Sequence, residues 1–386
     1  MIDPVPAAMS STDAPETMSR PSTIRFRQRG SWPRLKMFAQ PSYPGANGAN
    51  RSCAIRVMGS LTYATLLGRD VSLGTFVSSD DMDVVTSDWL LEGDPAIRWQ
   101  VQRDLLDASA NVWQEEQSLV AVEGWGARLL AERGDDGRWN KGLYTPKWTS
   151  TTYTLLQLWR MGLPRENPEA LASTQLLMDK PVWIFGKGDK AHRGECVAGF
   201  GLSLSSWFTI EGEQRERLVG EILERQLHDG GWNCRARSPS THSSFHTTMN
   251  VLEGLREYCL SGGGQRSDVE AAEARGREFL CEHHLYRSHR TGHIPDERMT
   301  RLPFPPRWHH DILRGLDYFR AAGADRDPRL EDPIEVLVGH RRTNGRWPIH
   351  QNYGGQVWFT METGRQPSRW NTLRALRVLR WWQQVG

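Results

Sequence analysis

Lysine is scarce in this sequence, six residues against 42 arginines, and so is net charge: 48 basic and 46 acidic side chains leave +2 at pH 7. A near-neutral chain carries no field of one sign to hold a polyanion, so nucleic acid is not an expected partner. Long apolar runs are missing too. No stretch approaches the roughly 18 residues that span a bilayer. The best, Ala54 to Gly68, is short and broken by Arg56; no transmembrane segment is expected, and only peripheral membrane contact stays open. Cysteine is sparse and odd in number, at positions 53, 196, 234, 259 and 281. With no apolar leader at its start, the chain is expected in a reducing, cytoplasmic compartment rather than as a disulfide scaffold.

Tryptophan and glycine, by contrast, are plentiful, with 17 and 36 residues. Residues 1–81 are rich in Pro, Ser, Gly and Asn and have no sustained period, which predicts a disordered tail or a non-native extension ahead of a start at Met82. The domain is expected over residues 82–386. Its first firm signal is Asp94-Pro95, an N-cap followed by proline at the first helical position, with Ile97, Val101 and Leu105 at helical spacing.

From there the chain repeats itself. Asp136-Gly-Arg-Trp139 returns as Asp229-Gly-Gly-Trp232 and as Asn344-Gly-Arg-Trp347, each with Arg133, Gln226 or Arg341 four residues before its glycine. A loop and an aromatic-led helix follow each turn: WTSTTYTLLQL from Trp148, FHTTMNVLEGL from Phe245 and WNTLRALRVL from Trp370. Degenerate copies begin at Trp183, leading to CVAGFGLSLSSW from Cys196, and at Gly292, leading to RWHHDILRGLDYF from Arg307. Six similar helices are therefore predicted near 94, 148, 195, 244, 307 and 369. Amphipathic segments alternate with them at 84–91, 112–132, 168–180, 212–227, 268–285 and 330–342, and no strand is expected. One helical hairpin cannot bury its apolar face alone, so the pattern predicts an all-α fold, a closed (α/α)6 toroid.

The Gln226-x3-Gly230-x-Trp232 spacing resembles the QW motif of squalene-hopene cyclases and their relatives, the terpenoid cyclase and protein prenyltransferase superfamily. The resemblance covers about residues 84–386. It implies a toroid whose motifs bracket a tryptophan at each helix end, around a cavity for an isoprenoid or other apolar small molecule. It also implies catalytic zinc held by Cys, Asp and His in the prenyltransferase branch, where Phe245-His246-Thr247-Thr248 resembles the segment carrying the histidine. An extra residue separates His246 from the first leucine of that pattern, and the DxDD acid of the cyclases is absent; Asp80-Asp81-Met82-Asp83 has another order and place.

The residues themselves offer several chemistries. Registering the helices on Leu202 and Leu252 puts Cys196 and His246 at equivalent places, so Cys234-x7-His242-x3-His246 with Cys196 is either a tetrahedral zinc set or a group of buried thiols and helix-bridging imidazoles. His309, His310 and Asp311 could act as an acid or base, or Asp311 could simply pair with Arg314. Arg290 and Arg307, with Arg287, Arg298 and Arg301, suit a diphosphate or carboxylate head, although arginine is abundant everywhere. Trp148, Tyr153, Trp207, Phe245 and Trp308 could line an apolar chamber for a substrate, or form core. Two other classes fit the same fold: a non-catalytic toroid binding lipid or protein, and a carbohydrate-active toroid, which would need two acids in its cavity.

Overall fold

The helix starts are set locally, as Asp94 illustrates: its carboxylate accepts from the Ala96 N–H at 3.0 Å and from the Trp125 N–H at 2.7 Å, with Pro95 at the first helical position. The computed structural model describes residues 84–180, 184–185, 192–234, 241–350, 352–364 and 366–384. The expected 1–81 extension, Cys53, Met82 and the opening of the repeat copy at Trp183 lie outside the described residues. Those residues are all-helical apart from one antiparallel ladder between β1 (Ile184–Phe185) and β2 (His192–Arg193), where no strand was expected.

In chain order the helices are α1 (Val84–Leu91), α2 (Pro95–Asp104), α3 (Ala110–Ser118), α4 (Gly124–Ala131), α5 (Thr151–Met161), α6 (Pro168–Asp179) and α7 (Glu195–Trp207). Then come α8 (Glu213–Glu224), α9 (Phe245–Leu260), α10 (Arg266–Glu282), α11 (Ile312–Ala321), α12 (Glu331–Gly339) and α13 (Arg369–Gln384). The expected segment 112–132 divides into α3 and α4. The helix expected near 307 begins at Ile312, because Pro303, Pro305 and Pro306 hold the preceding chain out of helix and Asp311 caps the new start, accepting from the Arg314 N–H at 2.9 Å.

Helices α2, α5, α7, α9, α11 and α13 carry the most buried faces, and each meets the next. The Trp99 indole on α2 donates to the Met161 carbonyl of α5 at 2.8 Å. Helix α5 packs on α7, α7 on α9, α11 on α13, and α13 on α2. Between α9 and α11, Asn250 donates to the Trp308 carbonyl at 3.0 Å and Arg314 binds Glu253 at 2.6 Å. Helices α4, α6, α8, α10 and α12 flank this set, and α3, with no buried residue, lies on α2.

The Gly-x-Trp turns weld the two sets together. Gly137, Gly230 and Gly345 all have positive φ, at 78°, 88° and 78°, a conformation that costs a glycine little. The tryptophans that follow are fully buried. Each indole N–H donates to a carbonyl ten residues earlier on the flanking helix: Leu129 of α4 at 2.6 Å, Ile222 of α8 at 2.8 Å and Leu337 of α12 at 2.8 Å. Each tryptophan backbone N–H donates to a threonine hydroxyl in the first turn of the next buried helix, Thr151, Thr248 or Thr372, at 3.1, 3.0 and 3.0 Å. The residue before the turn closes it. Gln226 donates to the Gly230 carbonyl at 2.6 Å and Arg341 to the Gly345 carbonyl at 3.2 Å, while Arg133 reaches the Gly137 carbonyl through the Ser173 hydroxyl.

Helices α7 and α9 approach most closely, at glycines. A Cβ at Gly199 would lie 2.5 Å from the Asn250 carbonyl oxygen, whereas one at Gly220 on α8 would meet nothing within 4 Å. Gly199→Ala is therefore expected to destabilise the fold by about 1–3 kcal/mol through overpacking. Gly220→Ala should stabilise it by roughly 0.5–1 kcal/mol through helix propensity. Urea unfolding of the two variants checks both signs; equal midpoints would contradict the packing described.

Candidate functional site

A charged group within an otherwise apolar helix face must find a partner or a ligand, and such groups converge at one place. A cavity of about 290 Å³ is bordered by all six buried helices, mostly along their middles and C-terminal halves, and by Phe304, Pro306 and Trp370 beside the N-terminal ends of α11 and α13. Trp99 of α2, Trp159 of α5, Trp207 of α7 and Trp370 of α13 contribute aromatic wall. Eight arginines and three carboxylates border it, the carboxylates being Glu253, Glu257 and Asp317. The balance of charge in the wall is strongly positive.

Two of the carboxylates are saturated by arginines. Glu253 takes two hydrogen bonds from the Arg314 guanidinium, at 2.8 and 2.6 Å, and one from Arg160 at 3.2 Å. Burial opposes its ionisation, but the two guanidiniums win and hold it below the usual carboxylate range. Asp317 is treated alike: burial pushes it up, and Arg377 and Arg320 hold it far down. Arg377 donates to Asp317 at 2.8 Å and continues to Gln100 at 2.7 Å and Asp104 at 2.9 Å. Glu257 goes the other way, pushed up by burial against the pull of Arg256 and Arg165.

The arginines are left in excess. Burial, reinforced by Arg314, Arg374 and Arg307, pushes Arg160 down to about 9 despite Glu253. Arg374 is only 6% exposed and also pushed down by burial. Its Nε lies 3.6 Å from Asp317 Oδ2, and its Nη1 has no hydrogen-bond partner. The positive charge that Arg374 brings to the cavity wall is thus only partly offset by protein carboxylates.

The residues singled out in the sequence are distributed between this cavity and the other end of the helices. Trp207 lines the cavity, its indole donating to the Leu163 carbonyl at 3.0 Å with Arg165 over its ring. Trp148, Tyr153 and Arg307 instead border a small pocket of about 20 Å³ with Trp358 and Phe359. Arg307 sits over the Trp148 ring, and burial pushes it down to about 10. Phe245 packs on Phe279, His283 and His310. Arg290 is exposed, and Arg287 and Arg298 are bound by Asp332 and Asp296 at 2.6 and 2.7 Å.

His309, His310 and Asp311 are buried. The His309 ring is stacked between Trp308 and Tyr353, with centroids 3.8 and 3.4 Å away. His310 meets the Leu285 carbonyl through Nε2 at 2.7 Å. Asp311 does not pair with the Arg314 guanidinium as its spacing suggested; it caps the Arg314 backbone. Of the zinc candidates, Cys196 and Cys234 lie within hydrogen-bond reach of each other, a contact that with burial pushes the Cys196 thiol up. His246 accepts from the His310 N–H through Nδ1 at 2.8 Å, and the carbonyl of exposed His242 accepts from Asn233 at 2.7 Å. Among the described residues no group of three or more His, Cys, Asp or Glu side chains is placed to hold a metal ion.

Sequence reasoning missed Arg160, Arg314, Arg374, Glu253 and Asp317. Their signal was present: Arg374 and Arg377 interrupt the apolar run of α13, as Glu253 interrupts that of α9. No protein-family model and no curated protein matches the chain. No helix among the described residues is long and apolar enough to cross a membrane.

The buried imidazoles make stability depend on pH. His310 is fully buried, which pushes it down to about 3, against about 6.5 in an unfolded chain. Between those values the unfolded chain binds the extra proton, so the contribution of His310 is complete above about pH 7 and is lost as pH falls towards 3. Unfolding free energy should rise with pH by up to about 1.4 kcal/mol per unit from this group between pH 4 and 6. His310→Gln should flatten the profile by about one proton, and an unchanged slope in urea titrations would show that His310 is not the group responsible.

Proposed function

We propose that the chain forms a six-hairpin toroid of the kind built by terpenoid cyclases and protein prenyltransferases, and that its central cavity binds a small anionic molecule. Two observations support the toroid: the three equivalent Gly-x-Trp welds, and the chain of helix contacts that returns from α13 to α2. The anion rests chiefly on one: eight arginines, Arg374 among them, border the cavity against three carboxylates, two of which are already saturated by those arginines. A volume of about 290 Å³ holds about ten waters, enough for a phosphate, diphosphate or carboxylate head with a short body against the tryptophans. A prenyl diphosphate meets this description through its head, and its tail must find room along the aromatic wall.

Calorimetric titration of the full chain with diphosphate, a short prenyl diphosphate and a hexuronate is expected to show saturable binding of at least one. Arg374→Met should weaken that binding tenfold or more. Arg374→Lys, which keeps the charge but loses the planar fork, should fall between. Binding that ignores both substitutions would sink the proposal.

A second reading, an acid–base enzyme acting on an acidic carbohydrate, is favoured by one pair of groups. Glu253 and Glu257 stand one turn apart on α9, both border the cavity, and their surroundings push them in opposite directions. It expects an oligouronide to be cleaved by the native chain, and Glu257→Gln to bind the same oligouronide with at least a hundredfold slower turnover. Binding without cleavage by the native chain would leave the binding protein alone.

A further inference from the structure

Six of the eight arginines that border the cavity are gripped by a carboxylate at 2.6–3.2 Å: Asp104 holds Arg103, Glu253 holds Arg160 and Arg314, Glu257 holds Arg256, and Asp317 holds Arg320 and Arg377. Arg165 and Arg374 are not gripped. Arg165 Nη2 stands 4.0 Å from Glu257 and Arg374 Nε 3.6 Å from Asp317, close enough to attract and past hydrogen-bond distance. Both carboxylates are already engaged by other arginines at shorter range, so neither loose pair can close without loosening a tighter one.

The two loose arginines sit at different depths and on different walls. The Arg374 side chain is 7% exposed and that of Arg165 28%, which places the first inside the cavity and the second at its mouth. Arg165 lies over the Trp207 ring at the end of α7, whereas Arg374 belongs to α13, which packs on α11 and α2. The threonines that receive the Gly-x-Trp turns supply a common origin for the helices: Arg374 is two residues past Thr372 on α13, and Glu257, the neighbour of Arg165, nine past Thr248 on α9. At 1.5 Å of rise per residue, the two levels differ by about 10 Å along the toroid.

Resting on the toroid and on the anion-binding reading of its cavity, we propose that the ligand is a dianion with one negative group at each end of a short spacer, the inner group bound by Arg374 and the outer by Arg165. A lone carboxylate or phosphate reaches one of these arginines and leaves the other unmatched. A two-ended anion reaches both. Its spacer lies against the tryptophans that border the cavity, Trp99 and Trp159 among them. The chemical class is that of dicarboxylates and bisphosphates whose charges stand apart, and it excludes an anion whose far end is wholly apolar.

The test is calorimetry on the full chain with three matched pairs: glutarate and pimelate, each against its monomethyl ester, and propane-1,3-diol bisphosphate against propyl phosphate. At least one dianion should bind tenfold or more tightly than its one-ended partner, and the pair that responds tells carboxylate from phosphate. A second negative charge gains from any positive surface, so two variants separate the bridge from general attraction. Arg165→Met should bring the dianion to within threefold of its partner. Arg266→Met removes a charge from an exposed pair with Glu270, outside the cavity wall, and should leave the preference whole. Equal affinities within all three pairs, a preference that survives Arg165→Met, or one lost equally in Arg266→Met overturns the two-ended ligand while the cavity remains an anion site. Binding of none of the six overturns the two-ended ligand and the anion reading together.

Discussion

Two mostly buried carboxylates, with side chains 16% and 15% exposed, hold most of this structure's buried helices in register. Glu253 on α9 binds Arg160 on α5 and Arg314 on α11. Asp317 on α11 binds Arg374 and Arg377 on α13, and Arg377 passes on to Asp104 on α2. Five of the six buried helices are thus joined by two clusters of ion pairs that share α11, with only α7 outside them, held instead by its close glycine contact with α9. Removing one member of such a cluster strands its partner as an uncompensated buried charge, which costs more than the pair contributes. The cavity and the scaffold are accordingly the same object, since the side chains that border the first are the ones that fix the second.

This dual use explains the character of the wall. Arginine suits this wall because a planar fork divides its donors among several partners: Arg314 serves Glu253, Asn250 and the His309 carbonyl, and Arg377 serves Asp317, Gln100 and Asp104. Lysine, a single point charge, would be consumed by the structural partner. The extreme preference for arginine over lysine along the chain is, at least here, consistent with that geometry.

Much of the fold was legible because its punctuation repeats. The Gly-x-Trp turns announced themselves by spacing, and the residue four before each glycine does bracket the turn. The threonine hydroxyls that receive the tryptophan N–H groups were visible as Thr151, Thr248 and Thr372, but their loops differ in length, so the offset from each tryptophan is 12, 16 or 25 residues and no fixed period marks them. The start of α11 was placed too early because aromatic and histidine residues continue the apolar pattern upstream through the prolines. The candidate site was less legible. The sequence pattern points to the N-terminal ends of the helices, where His309 and Trp148 turn out to be packed among other rings, and to the arginines of the 285–307 connection, whereas Arg160 and Arg374 stand out in no motif against an arginine-rich background. Only the structure shows which of them are buried together.

The last helix also completes the first. Arg380 of α13 donates to the carbonyls of Asp104 and Leu105 at the end of α2, 276 and 275 residues earlier in the chain, and Arg369 donates to the Trp89 carbonyl of α1. A nascent chain emerging from the ribosome therefore carries α1 and α2 exposed, their buried faces and backbone acceptors unmet, until nearly the whole remaining sequence has been synthesised. Over that interval the earliest of the described helices have only each other and α3, α4 and α5 to lean on.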